Sequence, residues 1–385
     1  MSDEIKTMNL SVEDSVLEDL KERLKATRWP DSVDGSMWEY GANLDFVKDL
    51  CEYWKNDFDW RSQEELLNQW DHYQTEIDGE NIHFIRADSK VKDALPLVLT
   101  HGWPGSVFEF YKVIEPLRDP VSFGGSEEDA FHVICPSLPG YGFSGPTRSA
   151  GWDVERVAKA WITLVDRLGF ERYGAQGGDW GALVTTLLGL LDPSRLAGIH
   201  VNMVVSRPPK DLANPKVNLS ESELADLAAA RHFQDAETGY QKIQGTKPQT
   251  LAYGLMDSPA GLAAWIGEKF RTWSDCGGDP LKSFSRDELL TNMTIYWVTK
   301  TINSSTRLYY ESQKSGSWGA PEMRVEVPTG CALFPSELFR PPRSWADRAY
   351  NIVQWTEMPS GGHFAAVEEP ELLVEDIRSL YKKLR

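Results

Sequence analysis

Cysteine is scarce in this chain and scattered along it. The four cysteines, Cys51, Cys135, Cys276 and Cys331, are widely separated and show no paired spacing. This pattern excludes a disulfide framework and gives no support to a zinc site. A reducing compartment suits such a protein, so we expect it in the cytoplasm, without a metal.

Positive charge is also in short supply. The chain has 40 Lys and Arg against 58 Asp and Glu, which gives a net charge of −18. A nucleic-acid backbone would be repelled by this excess of negative charge, so we exclude nucleic acid as a partner. The acidic residues are better explained as a solvated surface.

Long apolar runs are missing as well. No stretch of the sequence has the length and apolarity of a membrane span, and the polar residues 1–6 are not followed by the apolar run of a signal peptide. We therefore expect no membrane anchor. The composition, with 41% hydrophobic and 25% charged residues, is typical of a globular protein.

Apolar periodicity divides the 385 residues into four parts. Residues 1–72 carry apolar stripes at helical spacing and predict an N-terminal helical extension that packs on the core. Strands alternate with helices over residues 73–205, which implies a mostly parallel sheet. Residues 206–323 predict a helical insertion, and residues 324–385 return to the core with two β-rich segments and a closing helix.

The most informative motif is Gly177-Gly178-Asp179-Trp180-Gly181, which has the form G-x-D-x-G. Many hydrolases carry G-x-S-x-G at a sharp strand-to-helix turn that exposes the central side chain as a nucleophile. An Asp at the centre can displace a leaving group at an sp³ carbon and leave an alkyl ester on the enzyme. Taken alone, the motif fits equally well a glycine-rich loop whose Asp caps a helix.

Two later loops supply the other members of a catalytic triad. Glu337 follows one predicted strand, and His363 lies in a Gly-Gly-His-Phe loop after the last strand. The order acid, acid, His is the order of a hydrolase triad along such a chain, and Glu337 would orient His363 through a hydrogen bond. Asp347 is the nearest competitor of Glu337, but it falls in a stretch with a helical pattern.

The loop His101-Gly102-Trp103-Pro104 follows the first buried strand and predicts the oxyanion hole. In hydrolases with this layout, a backbone N–H of this loop joins the N–H of the residue after the nucleophile. The predicted donors are the N–H groups of Trp103 and Trp180. A simple Gly-Pro turn is the alternative.

Taken together, these motifs resemble those of epoxide hydrolases of the microsomal type. The resemblance covers nearly the whole chain, although animal members begin with a membrane anchor and this chain is more similar to soluble bacterial and fungal members. The matching segments are residues 26–30, 101–106, 177–181, 244–248, 257–263, 334–338 and 361–366.

The resemblance implies an α/β-hydrolase fold, in which a mostly parallel sheet has helices on both faces, a helical lid insertion and an N-terminal helical extension. It also implies two lid tyrosines that hydrogen-bond the epoxide oxygen. By motif these are Tyr240 and Tyr309, and the adjacent Tyr310 leaves the second assignment open by one residue.

The implied reaction converts an epoxide, expected to be apolar or aromatic, into a vicinal diol. Asp179 would form a covalent ester, and a water activated by His363 and Glu337 would then hydrolyse it, without any cofactor. Detoxification and natural-product biosynthesis are both open as roles, and a homodimer is open as the oligomeric state. The alternatives are a haloalkane dehalogenase and a non-catalytic ligand-binding member of the fold.

Overall fold

The computed structural model describes residues 4–319 and 322–385. The first three residues of the predicted extension and residues 320 and 321 of the predicted insertion lie outside the described residues. The strands are β1 (Ile5–Met8), β2 (Asp71–Ile77), β3 (Glu80–Ala87), β4 (Leu95–Thr100), β5 (Phe131–Pro136), β6 (Tyr173–Gly177), β7 (Leu196–Val201), β8 (Val325–Leu333) and β9 (Tyr350–Glu357). The α-helices are α1 (Asp14–Lys25), α2 (Leu44–Asn56), α3 (Trp60–Leu67), α4 (Ile114–Arg118), α5 (Val154–Arg167), α6 (Asp179–Leu191), α7 (Glu221–Ala236), α8 (Gly239–Thr246), α9 (Pro248–Asp257), α10 (Pro259–Thr272), α11 (Arg286–Thr299), α12 (Ile302–Ser315), α13 (Arg343–Ala349), α14 (Ala365–Glu368) and α15 (Pro370–Lys382).

The described strands form one sheet in the order β1-β2-β3-β5-β4-β6-β7-β8-β9. The first strands pair antiparallel, and from β5 to β9 every neighbouring pair is parallel. The carboxyl ends of β4, β6, β8 and β9 therefore meet at the same edge of the sheet. Loops at that edge are where sites form in parallel sheets, and they carry the predicted site residues.

The helix α6 packs against the central strands of the sheet. It is apolar on nearly all sides and lies against β4, β6, β7 and β8. From α15, the Tyr381 hydroxyl accepts from the Ala175 N–H and contacts the carbonyl oxygens of Ala175 and Gly198. A side chain at Gly174 would collide with the Tyr381 ring at 2.5 Å, so this glycine permits the close approach of α15.

The N-terminal part differs from the purely helical extension predicted for residues 1–72. Its strand β1 pairs with β2, and the predicted boundary at 72/73 falls inside β2. Strand β1 has only four residues and alternates Ile, Lys, Thr and Met, which is too short a pattern to separate from a loop. The helices pack on the insertion: Trp54 Nε1 donates to Thr294 Oγ1 at 2.9 Å, and Tyr53 Oη donates to Asp287 at 3.0 Å.

The described part of the predicted insertion contains α7 to α12 and no strand. Apolar periodicity predicts helices over residues 224–233, 250–253, 260–273 and 287–300, which correspond to α7, α9, α10 and α11. It predicts no helix at α8 or α12, because α8 includes Gly239 and Gly245 and α12 is rich in Ser. We call residues 206–323 the lid. None of the described helices is long and apolar enough to cross a membrane.

Candidate active site

The turn between β6 and α6 presents Asp179 at the carboxyl edge of the sheet. Asp179 has a φ of +49°, a strained left-handed conformation for a residue with a side chain. A Cβ at Gly177 would lie 2.2 Å from the Gly181 oxygen, and a Cβ at Gly181 would lie 1.8 Å from the Thr100 oxygen. The glycines are therefore required by the tight packing of this turn, as the motif predicts.

The two carboxylate oxygens of Asp179 have different partners. Oδ1 accepts a hydrogen bond of 2.8 Å from the Trp103 backbone N–H, and Oδ2 lies 3.4 Å from His363 Nε2. A Cβ at Gly102 would lie 2.3 Å from the Asp179 Cβ, so only glycine lets the two loops come this close. Trp180 is in the first turn of α6, where backbone N–H groups have no partner within the helix, and it stays a predicted second donor.

Glu337 and His363 follow β8 and β9 and meet beside Asp179. His363 Nδ1 lies 2.7 Å from Glu337 Oε1, and both side chains are buried. The Ser336 N–H donates to the Gly361 oxygen, which joins the two loops. Asp347, the competitor considered for the acid, lies on α13 and pairs with Arg343 at 2.8 Å, away from His363.

The imidazole of His363 lies between two carboxylates. Burial alone would lower its pKa, but the charge of Glu337 and the contact with Asp179 raise the pKa well above its usual value. His363 is therefore an imidazolium while Asp179 carries its charge. Esterification of Asp179 would remove that charge and with it part of the cause of the raised pKa.

The supporting motif residues shape the loop after β4. His101 is buried, and its Nε2 accepts from the Leu138 N–H at 3.1 Å while its Nδ1 contacts the Gly102 oxygen at 3.0 Å. Burial lowers the pKa of His101 to about 4, so the ring is neutral and ties this loop to the one after β5. The Trp103–Pro104 peptide bond is cis.

The lid brings Tyr240 of α8 and Tyr309 of α12 over Asp179. Their rings are 5.9 Å apart, edge to face, and both are buried. The Trp103 indole stacks on Tyr240 at 5.3 Å, and the Trp180 indole meets the edge of Tyr309 at 4.7 Å. Tyr310, the neighbour that the motif left open, is 37% exposed and faces Lys314.

Both phenols stay protonated over the working pH range. Burial raises the pKa of Tyr240 and of Tyr309 well above the usual value, and the nearby charge of Asp179 adds to the effect. A neutral phenol is a hydrogen-bond donor, and one aimed at a forming alkoxide would stabilise it.

Behind Tyr240 lies an ion pair on α10 that joins a buried lysine to a partly exposed glutamate. The Lys269 ammonium is 4.6 Å from the centre of the Tyr240 ring and pairs with its neighbour Glu268. Lys269 is only 5% exposed, so its charge acts on the ring through protein and not through water. Trp273, at the end of α10, contacts both Tyr240 and His363.

Two cavities of different size meet at Asp179. The larger has about 590 Å³ open to the centre of a water molecule and is bordered by Asp179, Tyr240 and Tyr309. The smaller has about 20 Å³ on the same measure and is bordered by Asp179, His363 and Glu109. Asp179 therefore lies between a large space under the lid and a water-sized space beside His363.

The larger cavity is mainly apolar, with cations at its border. Arg207, Lys216 and Arg231 are exposed or partly exposed there. The apolar and aromatic border consists of Leu183, Met203, Val205, Leu227, Phe233, Trp318, Leu338, Phe339 and Trp345.

Sequence reasoning did not select Glu109, Lys269 or Trp273. Glu109 lies in a 3₁₀ helix, Val107–Phe110, that the sequence presents as the start of a longer helix. Lys269 and Trp273 lie on an amphipathic helix, where a lysine is usually exposed and a tryptophan is usually core. The burial of Lys269 is what marks it as a residue of the site, and this burial is visible only in the folded structure.

No group of three or more His, Cys, Asp or Glu side chains within residues 4–319 and 322–385 is arranged to hold a metal ion. The chemistry available to the described site is that of carboxylates, an imidazole and phenols.

Comparison with known proteins identifies relatives of this architecture. The family model described as the epoxide hydrolase N terminus matches residues 5–110, and the one described as the alpha/beta hydrolase fold matches residues 96–265. The predicted fold class is thereby confirmed.

Three relatives are similar over nearly the whole chain. A protein of Stigmatella aurantiaca is 47% identical over 99% of this chain and 86% of its own length. Epoxide hydrolase 1 of Sus scrofa is 40% identical over 97% of this chain and 88% of its own length. The crystal structure of juvenile hormone epoxide hydrolase from the silkworm Bombyx mori has a TM-score of 0.91 at 34% identity, covering 99% of this chain and 95% of that one.

Proposed function

Since this chain belongs to the epoxide hydrolase family, of the microsomal type, and converts epoxides to vicinal diols, we propose that Asp179 is its nucleophile. The observation that carries the proposal is the contact of Asp179 with both Trp103 N–H and His363. One oxygen is held by the Trp103 N–H, and the other, 3.4 Å from His363 Nε2, is the oxygen that attacks.

In the first step, Asp179 Oδ2 attacks the less hindered carbon of the epoxide and the ring C–O bond breaks. Tyr240 and Tyr309 donate hydrogen bonds to the oxygen, and the proton that the alkoxide needs comes through a phenol. The product is a glycol monoester of Asp179. His363 then has one carboxylate neighbour fewer, so its pKa falls and its proton restores the phenol.

In the second step, neutral His363 takes a proton from a water that attacks the Asp179 carbonyl carbon. Glu337 holds the imidazole through Nδ1 and stabilises the imidazolium that forms. The N–H groups of Trp103 and Trp180 hold the oxyanion, and the diol leaves. This cycle uses no metal and no organic cofactor.

We propose an apolar or aryl-bearing epoxide as the substrate, because the larger cavity is bordered mainly by aliphatic and aromatic side chains. Styrene oxide is a suitable first probe. A panel of aryl, alkyl and terpenoid epoxides separates detoxification, which predicts similar kcat/KM values for many substrates, from a natural-product role, which predicts one strongly preferred substrate.

The cytoplasm is the proposed location because all four cysteines are unpaired and buried, as suits a reducing compartment. Cell fractionation tests this location. Light scattering of the purified protein decides between a monomer and the homodimer that the sequence leaves open.

A single-turnover reaction in oxygen-18 water tests the covalent route. With enzyme in excess, the first diol should be unlabelled and the label should appear in Asp179, because water attacks the ester carbonyl. Label in the first diol would mean that water opens the epoxide directly and would refute the role of Asp179. Release of halide from a chloroalkane would instead favour the haloalkane dehalogenase that the sequence left open.

A further inference from the structure

A further carboxyl group lies next to the triad and has no place in the proposed chemistry. Glu109 is largely buried and lies near both Asp179 and His363. Within the parts of the chain that the structure describes, its side chain forms no hydrogen bond and no ion pair. Burying a carboxyl group without a partner is costly, so a role in the site is a natural explanation.

Glu109 lines the small cavity beside His363, and part of its surface remains accessible. About 20 Å³ open to the centre of a water molecule accommodates one water.

The cavity offers that water several polar partners. Gln176 donates through Nε2 to Asn202 Oδ1 at 2.8 Å, which fixes the orientation of its amide. Gln176 Oε1 is buried and has no hydrogen-bond partner among the described residues. With Glu109 and His363, this acceptor completes the two to four polar contacts that a buried water needs.

We propose that Glu109 binds the hydrolytic water and holds it for His363, which makes Glu109 a catalytic residue of the second step. The inference rests on the proposed function. The water accepts a hydrogen bond from the Glu109 carboxyl and donates to His363 Nε2 and to Gln176 Oε1.

Ester hydrolysis involves two protons at His363, one passed from the water to the diol oxygen and one taken from the new carboxyl group, and it leaves Glu109 unchanged. The water oxygen bonds to the Asp179 carbonyl carbon, and one of its protons passes to His363. The ester C–O bond breaks, and the diol oxygen takes that proton from His363. The new carboxyl group of Asp179 then gives its proton to His363, which restores the carboxylate and the imidazolium.

The charge state of Glu109 suits a donor. Burial raises its pKa to about 8, the positive charge of His363 opposes this shift, and the charge of Asp179 adds to it. Besides these two groups, the Tyr296 phenol faces Glu109, and it is held by the Gly105 oxygen at 2.7 Å. Glu109 is therefore mostly protonated at pH 7 and loses its proton as the pH rises through about 8.

Rapid-quench mass spectrometry of a single turnover with styrene oxide tests the proposal, because it measures ester formation and ester hydrolysis separately. Glu109→Gln keeps a neutral donor of the same shape and should hydrolyse the ester within about threefold of the wild-type rate. Glu109→Leu removes the donor and should form the ester normally but hydrolyse it about 10²-fold more slowly. Wild-type ester hydrolysis should fall as rising pH removes the proton of Glu109, and hydrolysis by the Gln variant should not.

Wild-type hydrolysis by Glu109→Leu would overturn the assignment. If that variant does not fold, the pH profiles decide, since an equal decline in wild type and Glu109→Gln would also overturn it. Failure of the proposed function has a different signature: no ester on Asp179 in any of the proteins, and oxygen-18 in the first diol.

Discussion

The Trp103 backbone N–H donates to Asp179 Oδ1 at 2.8 Å, so the predicted oxyanion donor already holds one oxygen of the proposed nucleophile. This contact depends on the absence of a side chain at Gly102, because a Cβ there would lie 2.3 Å from the Asp179 Cβ. The Trp103 N–H and the Asp179 carboxylate are therefore placed by the same close approach of two loops.

Gly102→Ala should separate these loops and lower kcat/KM for styrene oxide by about 10²-fold, the usual effect of losing one oxyanion donor. Gly254→Ala on α9 is the matched control, because a Cβ there meets nothing within 4 Å. The control should keep full activity, and steady-state kinetics with circular dichroism check both. An active, folded Gly102→Ala would show that the close approach is unnecessary.

The two lid phenols predict a step-specific loss. Tyr240→Phe and Tyr309→Phe should each slow ester formation by about 10²-fold, since each removes a donor to the forming alkoxide. Ester hydrolysis should change little. Tyr310→Phe is the control and should behave like wild type, because Tyr310 is 37% exposed and faces Lys314. Stopped-flow tryptophan fluorescence measures both steps, and a larger loss in Tyr310→Phe than in Tyr309→Phe would reverse the assignment.

Glu337→Gln should lower the pKa of His363, because the charge of Glu337 is the strongest of the influences that raise it. Nitrogen-15 NMR of the ring follows this pKa directly. Loss of the orienting carboxylate should also slow ester hydrolysis by roughly 10²–10⁴-fold, so that the Asp179 ester accumulates. Asp347→Asn is the control, since Asp347 pairs with Arg343 on α13. An unchanged His363 pKa in Glu337→Gln would contradict this account.

How much of this site was predictable depends on how local its signals are. The position of Asp179 and the need for the glycines around it were predictable, because the G-x-D-x-G motif is itself the pattern of a tight turn. Glu337 and His363 follow from the rule that parallel strands end at one edge. Strand β1 was not predictable, because four residues carry too little periodicity and their pairing with β2 is made across more than 60 intervening residues.

Glu109 and Lys269 show the other limit of sequence reasoning. Each is a charged residue in an amphipathic segment, where exposure is the usual outcome. Their burial results from packing between the lid and the core loops, and no local sequence pattern predicts it. Residues of this kind require the structure, whereas motif residues do not.

Lys269 predicts an electrostatic effect on the Tyr240 phenol. After burial and the charge of Asp179, the carboxylate of Glu268 also raises the pKa of Tyr240, and the Lys269 ammonium pairs with that carboxylate 4.6 Å from the ring. Lys269→Met leaves Glu268 without its partner, so the phenol becomes a poorer donor. Ester formation should slow by about tenfold, the equivalent of one pKa unit, and ester hydrolysis should be unchanged.

Two further variants separate this electrostatic effect from a packing defect. Lys269→Arg keeps the cation and should retain most of the activity, and Glu268→Gln combined with Lys269→Met removes the unpaired carboxylate and should recover part of the lost rate. Rapid-quench analysis of single turnovers measures each step. If the double variant is as slow as Lys269→Met, or if both steps slow together, Lys269 acts through packing and its charge does not tune Tyr240.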